Sequence, residues 1–550
     1  MSIHTNWISP PVSTGGLDHL GTQAPCLLIY AQLLPGITNV TNRARYYSFY
    51  PWLVWSFDQR YAKDEAKFVE FFRRADCLFT LAAERHSRQT DHDSERHGIA
   101  MVGREKLLKA LDALSLGKTL RLSTFATREE TSSFRYFKSK LGGLSQYYAG
   151  TLVELKLLDA TAKPWMRYTT EYGLPLAENL DHGCPSDRFW EIVENDEVEL
   201  ADLDELERFC SCNLRHSVDE NATLTAIYFD RAHAFEEEGV QRKKTLGLIL
   251  NLAAALPDGH DLDESLFRAC TYSGSLPGQV TWPIPQTLEL TKKSWGVYQR
   301  NDMLSVAFQA ILGISLKAIS PQDAVNKVAY PSIEQFARAF SNDRTVTDLT
   351  DRFAVDTFAQ LVDGLADSAP DISHWEDTGH EVQMAGQMMQ AWSRDAGTGN
   401  VLELACRLIA LLAFRDDLDY PAYGGIAMSS EALANYPINL VSFRTRVLSW
   451  RAMKLADFVS DIVAWCLNTH LRVALRKLNQ TGRSTFHLRP AERGIEVVGD
   501  VPPPAHTTPR FEQAVQILRD IGALTRDGGS SIRKTRLSEL GSVLMEEASA

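Results

Sequence analysis

The sequence predicts a mainly α, multi-domain helical protein. Composition is the first observation behind this. Hydrophobic residues make up 44 % of the 550, charged residues 23 % and aromatics 9 %. That is a globular chain with a large core, not a disordered, collagen-like or membrane chain. The second is periodicity, because apolar residues recur at helical spacing through most of the length. The third is length, which corresponds to about three or four domains.

Taken in order, helical spacing marks Phe68 to Ala83, Leu107 to Leu116, Leu203 to Leu214 and Lys244 to Leu256. It continues at Leu304 to Ile319, Phe353 to Leu365, Val401 to Phe414 and Val447 to Leu478. The breaks are explicit. Ser273 to Gly278 reads as a loop, and Pro283 and Pro285 forbid helix just after it. Gly397 and Gly399 mark another break, as do Pro421, Gly424 and Gly425. Pro502-Pro503-Pro504 is a stiff extended spacer. No solenoid-type repeat is present.

Net charge is −13, which excludes a uniformly basic nucleic-acid binder but not local basic patches. The acidity is uneven. Residues 1–120 and 121–180 each sum to +2, residues 181–270 to −13, residues 271–470 to −7 and residues 471–550 to +3. Both ends are mildly basic and the interior is acidic, which points to a division of roles, although an acidic run also serves as a solvated helical face.

The eight cysteines are scattered apart from Cys210 and Cys212. Neither a C-x-x-C pair nor a Cys/His finger spacing occurs, which argues against a structural zinc site. Scattered cysteines read as buried free thiols in a reducing cytosol. Met1 to Gln23 lacks the basic start and apolar core of a signal peptide, and Val401 to Phe414 is too short and too charged to span a bilayer. A cytoplasmic location without membrane partners is expected.

One internal similarity stands out. Thr151 to Asp159 reads as an amphipathic helix, followed by a short polar stretch, Tyr168 to Gly173, and Leu176. Gln516 to Thr525, Arg526 to Ser530, Thr535 to Gly541 and Leu544 repeat the order. Each copy reads as helix, tight hairpin, strand and a further helix. Asp527-Gly528-Gly529 allows the positive φ of a tight turn. Leu152, Leu155, Leu157 and Leu158 can face a small core, as can Val515, Leu518, Ile521 and Leu524.

The pattern resembles winged helix-turn-helix domains, over about 45 residues near 130–180 and about 70 near 480–550. That resemblance implies two winged-helix-like (α+β) modules, whose second helix enters the major groove and whose wing lies beside the phosphate backbone. Carried onto this chain, Arg510, Gln513, Arg526, Arg533, Lys534 and Arg536 would hold DNA in the C-terminal copy. Lys138, Lys140, Gln146 and Tyr147 would do so in the first. Many winged helices bind protein instead, and both roles stand open. The expected organisation is an aromatic-rich N-terminal helical region (1–120), a first winged-helix-like module (121–185), an acidic helical middle (186–470) and a C-terminal winged-helix-like module (471–550).

Residues 43–57 carry a dense aromatic run after Arg43 and Arg45. Arg43, Arg45, Tyr46 and Tyr50 could line a pocket that stacks a base or ring ligand. The favoured alternative is a buried element, because the aromatics fall on more than one helical face. Pro51 then implies a kink or a second helix start. His86, His92 and His97 lie with Asp93 in one polar loop and are weak candidates for a divalent metal, with a solvated loop preferred. Glu154 and Lys156 have a nuclease-like spacing but fall within the first repeat, so no catalytic role is assigned to them. Asp416, Asp417 and Asp419 read as a helix end. No Walker loop, dinucleotide fingerprint, nucleophile elbow or H-E-x-x-H occurs.

The expected function is therefore non-enzymatic. The chain reads as a DNA-associated component of a bacterial multiprotein system, with DNA and other protein subunits as partners and no cofactor. Its whole-chain character is similar to uncharacterised bacterial antiviral-defence proteins. One alternative is a kleisin-like scaffold bridging ATPase subunits. Another is a metal-dependent nuclease whose site is assembled from distant residues.

Overall fold

The computed structural model describes all residues except 1–17, 62–63, 91–100, 163–165, 320–329, 424–435, 493 and 527–533, with the side chains of Ala66 and 417–423 also outside it. The chain is mainly helical, with 66 % of residues in helices and 6 % in strands. Among the described residues the strands form five two-stranded antiparallel sheets. Each pairs short segments, such as Leu120–Arg121 with Glu197–Val198 and Leu488–Ala491 with Gly494–Val497. Helices therefore supply the cores.

Two compact units form. The first comprises Met1–Tyr30 (described from Asp18), Arg268–Trp282 and Lys292–Pro509, and the second comprises Ala31–Phe267, Pro283–Thr291 and Arg510–Ala550.

In the first unit the part of the long helix Glu289–Ile319 that begins at Lys292 contributes a dense apolar surface from Met303 to Ile314. The stretch Gln286–Ile319 is long and apolar enough to cross a membrane, with mean hydropathy 1.5, and 83 % of its most apolar part is buried inside the protein. A core helix has the same character. Phe308 meets Trp465 edge-on at 5.1 Å, joining it to the helix Leu455–Thr481. Asp302 on the long helix is fully buried and accepts from Arg268 at 2.6 Å and from the Thr507 amide at 2.9 Å. His506 Nδ1 lies 2.5 Å from the same carboxylate, so the extended segment after Pro502–Pro504 is tied to that helix.

In the second unit the helix Tyr46–Tyr61 is buried along nearly its whole first half. Phe49 stacks on Phe79 of the helix Glu65–Thr90 at 3.9 Å, and Trp52 lies 5.3 Å from Phe209 and from Phe189. The helix continues through Pro51 as one element, where a kink or new start was expected. Proline removes one amide bond, and burial of successive residues on both sides holds the helix together.

Three expected helices divide. Leu203 to Leu214 is a short helix, Leu200–Glu205, followed by two 3-10 turns, Glu207–Phe209 and Ser211–His216. Cys210, with ψ 140, is extended between the turns, and a 3-10 geometry suits such short tight pieces. Phe353 to Leu365 is interrupted by Ala354, which adopts φ 53 and ends the helix Arg344–Phe353 before Phe358–Asp363 begins. Val447 to Leu478 separates into Leu440–Trp450 and Leu455–Thr481, because Arg451 to Lys454 turn and Leu455 bonds back to Asp356. Conversely, Thr398–Tyr423 runs on past Asp416, which pairs with Arg444 at 2.6 Å.

Candidate nucleic-acid interface

Both internal repeats lie in the second unit and adopt one local geometry. In the first, a π turn Leu144–Tyr148 leads into the helix Ala149–Glu154. Lys156 then takes φ 56, and Leu158–Asp159 pairs with Arg167–Tyr168 before the helix Gly173–Gly183. In the second, the helix Phe511–Asp520 is followed by Gly522 at φ 81, by Leu524–Arg526 paired with Thr535–Leu537, and by the helix Glu539–Ser549.

The hydrogen bonds correspond as well. The Leu157 amide donates to Leu152 O at 2.7 Å, and the Ala523 amide to Leu518 O at 2.8 Å. The second strand returns through Thr169 N to Leu157 O and through Ser538 N to Ala523 O, both at 3.1 Å. Thr169 Oγ1 accepts from Gly173 N and Ser538 Oγ from Gly541 N, and Ser538 caps the last helix of its copy. A Cβ on Gly173 would sit 2.2 Å from Leu157 O, and one on Gly541 2.1 Å from Ala523 O. Only glycine permits that approach.

The side chains of the two copies are placed differently. In the second copy Gln513 is 6 % exposed and donates to Asn39 O at 3.2 Å. Arg510 is half-buried, with its guanidinium on Leu34 O at 3.1 Å. Lys534 is half-buried and bonds Asp258 at 2.9 Å and the carbonyls of Leu256 and Pro257 at the end of the helix Glu236–Ala255. The adjoining Thr535 amide donates to Asp261 at 2.8 Å, so the hairpin is anchored to that loop. Arg526 is half-buried, Arg536 is exposed, and Arg533 lies outside the described residues.

In the first copy Lys138, Lys140 and Gln146 are exposed, and Tyr147 is half-buried with its ring 5.5 Å from Phe137. Ser145 and Gly150 extend the same open helix surface. The loop carrying the two lysines is tied to the segment at Ala126 and Thr127 by Arg73, which is 1 % exposed. Its guanidinium donates to Ala126 O and Ser139 O at 2.6 Å, to Thr127 O at 2.9 Å and to Phe137 O at 3.0 Å. Asp76, one helical turn along, accepts from the Gly143 amide at 2.9 Å and from the Tyr50 and Tyr136 hydroxyls at 3.1 Å. Burial raises the Asp76 carboxyl to about 6. Between Arg104 and Lys140 the sequence has nine Lys or Arg against four Asp or Glu.

The aromatic segment sits in the core. Tyr46 and Tyr50 are fully buried and stack at 5.2 Å. Arg43 pairs with Asp520 at 3.0 Å. Arg45 pairs with Glu220 at 2.8 Å and donates to Arg208 O and Cys210 O. These groups link the repeats and the helix Val218–Tyr228 to the centre of the unit.

His86 lies on the helix Glu65–Thr90, whereas His92, Asp93 and His97 fall outside the described residues. Its neighbours are Cys210 and Cys212, and the ligand atoms of all three lie within 4.8 Å of one another. Sequence reasoning missed this group, because 126 residues separate His86 from Cys212. The Cys-x-Cys spacing was the only local signal.

Comparison with protein-family models, curated proteins and solved structures finds no match to this chain.

Proposed function

We propose that this protein is a non-enzymatic, DNA-associated component of a bacterial multiprotein system, of the antiviral-defence kind its sequence resembles. The two repeats are winged-helix-like modules on this reading. The first is the nucleic-acid reader, and the observation that carries this is the Arg73-clamped loop beside an open helix surface. Lys138 and Lys140 stand exposed on a backbone that Arg73 holds at the Phe137 and Ser139 carbonyls, next to Gln146 and Ser145. A fixed backbone lowers the entropic cost of presenting cations to phosphate, and polar side chains on a helix can approach base edges.

The second module supports a protein-docking role. Its helix, through Gln513 and Asp520, and two of its candidate cations, Arg510 and Lys534, are engaged inside their own unit. The acidic stretch 181–270 would meet partner subunits, as in the scaffold alternative.

Titration of duplex DNA by fluorescence anisotropy at a series of salt concentrations tests the proposal. Each phosphate contact contributes about 0.9 to the slope of log K against log salt. Lys138→Gln with Lys140→Gln should lower that slope by about 2, and Arg536→Gln should change it less. Absence of binding at low salt, or a slope unmoved by the paired lysine variant, contradicts it.

A further inference from the structure

We propose that His86, Cys210 and Cys212 form a zinc-binding site in the second unit, with the imidazole and two thiolates as ligands. Nothing in the proposed DNA contact requires this site, and the two stand or fall separately.

Cys212 Sγ lies 3.4 Å from His86 Nδ1, and all three ligand atoms fall within 4.8 Å of one another. Zinc–sulfur bonds of about 2.3 Å and zinc–nitrogen bonds of about 2.0–2.1 Å set tetrahedral edges of about 3.5–3.8 Å. A small inward movement of the side chains therefore completes three corners. The three groups already hydrogen-bond to one another, with Cys210 serving both His86 and Cys212.

The two sulfurs are buried beside cationic side chains. Cys210 is fully buried and Cys212 is 8 % exposed. Arg45, Arg43 and Arg215 lie close enough to interact with the sulfurs. The Arg45 guanidinium also donates to Cys210 O at 2.9 Å, which fixes the backbone of the extended residue between the two 3-10 turns. That break in helix is what brings residues 210 and 212 to one side. His86 is half-buried and gives the site a solvent-facing edge. The donor set of two sulfurs and one imidazole selects a borderline-soft ion over Mg²⁺ or Ca²⁺. Three protein ligands leave a fourth position for water or an added ligand.

Binding is a proton exchange. Zn²⁺ enters, Cys210 and Cys212 each form an S–Zn bond, two thiol protons leave to solvent, and neutral His86 donates its lone pair. Affinity should therefore rise with pH, by up to about a hundredfold per unit while both thiols are protonated in the metal-free protein.

The test uses the untagged full chain, reduced, stripped with chelator and titrated with Co²⁺ and then Zn²⁺. One equivalent of Co²⁺ should give thiolate-to-metal charge-transfer absorption and the intense visible bands of a tetrahedral site, and Zn²⁺ should bleach them. Cys212→Ser should halve the charge-transfer band, and His86→Ala should weaken binding while keeping it. In the unaltered protein, Zn²⁺ should protect Cys210 and Cys212 from alkylation mapped by mass spectrometry, a readout that needs no variant to fold. Failure of the reduced protein to take up either ion overturns the proposal. So does uptake that survives Cys210→Ser with Cys212→Ser, or alkylation of the pair unaffected by Zn²⁺.

Discussion

His19, His470 and His487 show how a single residue type takes its role from burial. Their rings gather within 6.1 Å in the first unit, and His470 Nε2 accepts from the His487 amide at 2.9 Å. Burial depresses all three, His19 to about 3 and His470 to about 4, with Lys477 adding repulsion to both. The unfolded chain binds these protons near pH 6.5 and the folded chain does not. Stability from the cluster is therefore full above about pH 6.5 and is lost as pH falls towards 4. Asp76 acts in the opposite sense, since its raised carboxyl favours folding at low pH and loses that contribution as pH rises through about 6. Urea melts of the wild type and of His470→Gln at pH 7 and pH 5 separate the two. The wild type should lose more stability between these values than the variant, and equal losses would show that the imidazole does not carry the effect. None of this was legible in the sequence, where the three histidines are isolated letters. The same holds for the partners of Arg43 and Arg45: the sequence offers the two arginines as part of a ring-binding pocket, and the fold buries them with Asp520 and Glu220.

At the scale of elements the sequence was more informative. Helical periodicity located the long helices, and the Thr/Ser and glycine spacing located both hairpin modules. Gly541 and Gly173 had a physical meaning there, because each lets a helix start against a backbone carbonyl. Gly541→Ala should destabilise the protein by about 1–3 kcal/mol, as overpacking does, measured by urea melts. Gly150→Ala, at a helical glycine with nothing within 4 Å of an added Cβ, should be neutral or stabilising by about 0.5–1 kcal/mol. Equal effects at the two positions would mean that the carbonyl approach is not what selects glycine. The breaks at Cys210, Ala354 and Arg451 were missed for another reason. Apolar spacing continues across each of them, and only tertiary bonds such as Leu455 to Asp356 decide that the chain turns.

At the scale of the whole molecule, chain order and spatial grouping diverge. Each compact unit is assembled from three separated stretches, and the second contains both repeats although they lie near opposite thirds of the chain. Composition cannot anticipate this, because it carries no information on which segments meet. The same limit applies to the net charge of −13. What bears on the proposed function is which candidate cations remain exposed after folding: Lys138, Lys140 and Arg536 do, while Lys534 is engaged with Asp258. Hydrogen–deuterium exchange of the full chain with and without duplex DNA tests this account most directly, since it reports where the nucleic acid sits. DNA should slow exchange across residues 136–154 and leave 511–520 unchanged. Protection confined to 511–537, or none anywhere under conditions that bind DNA, would contradict it.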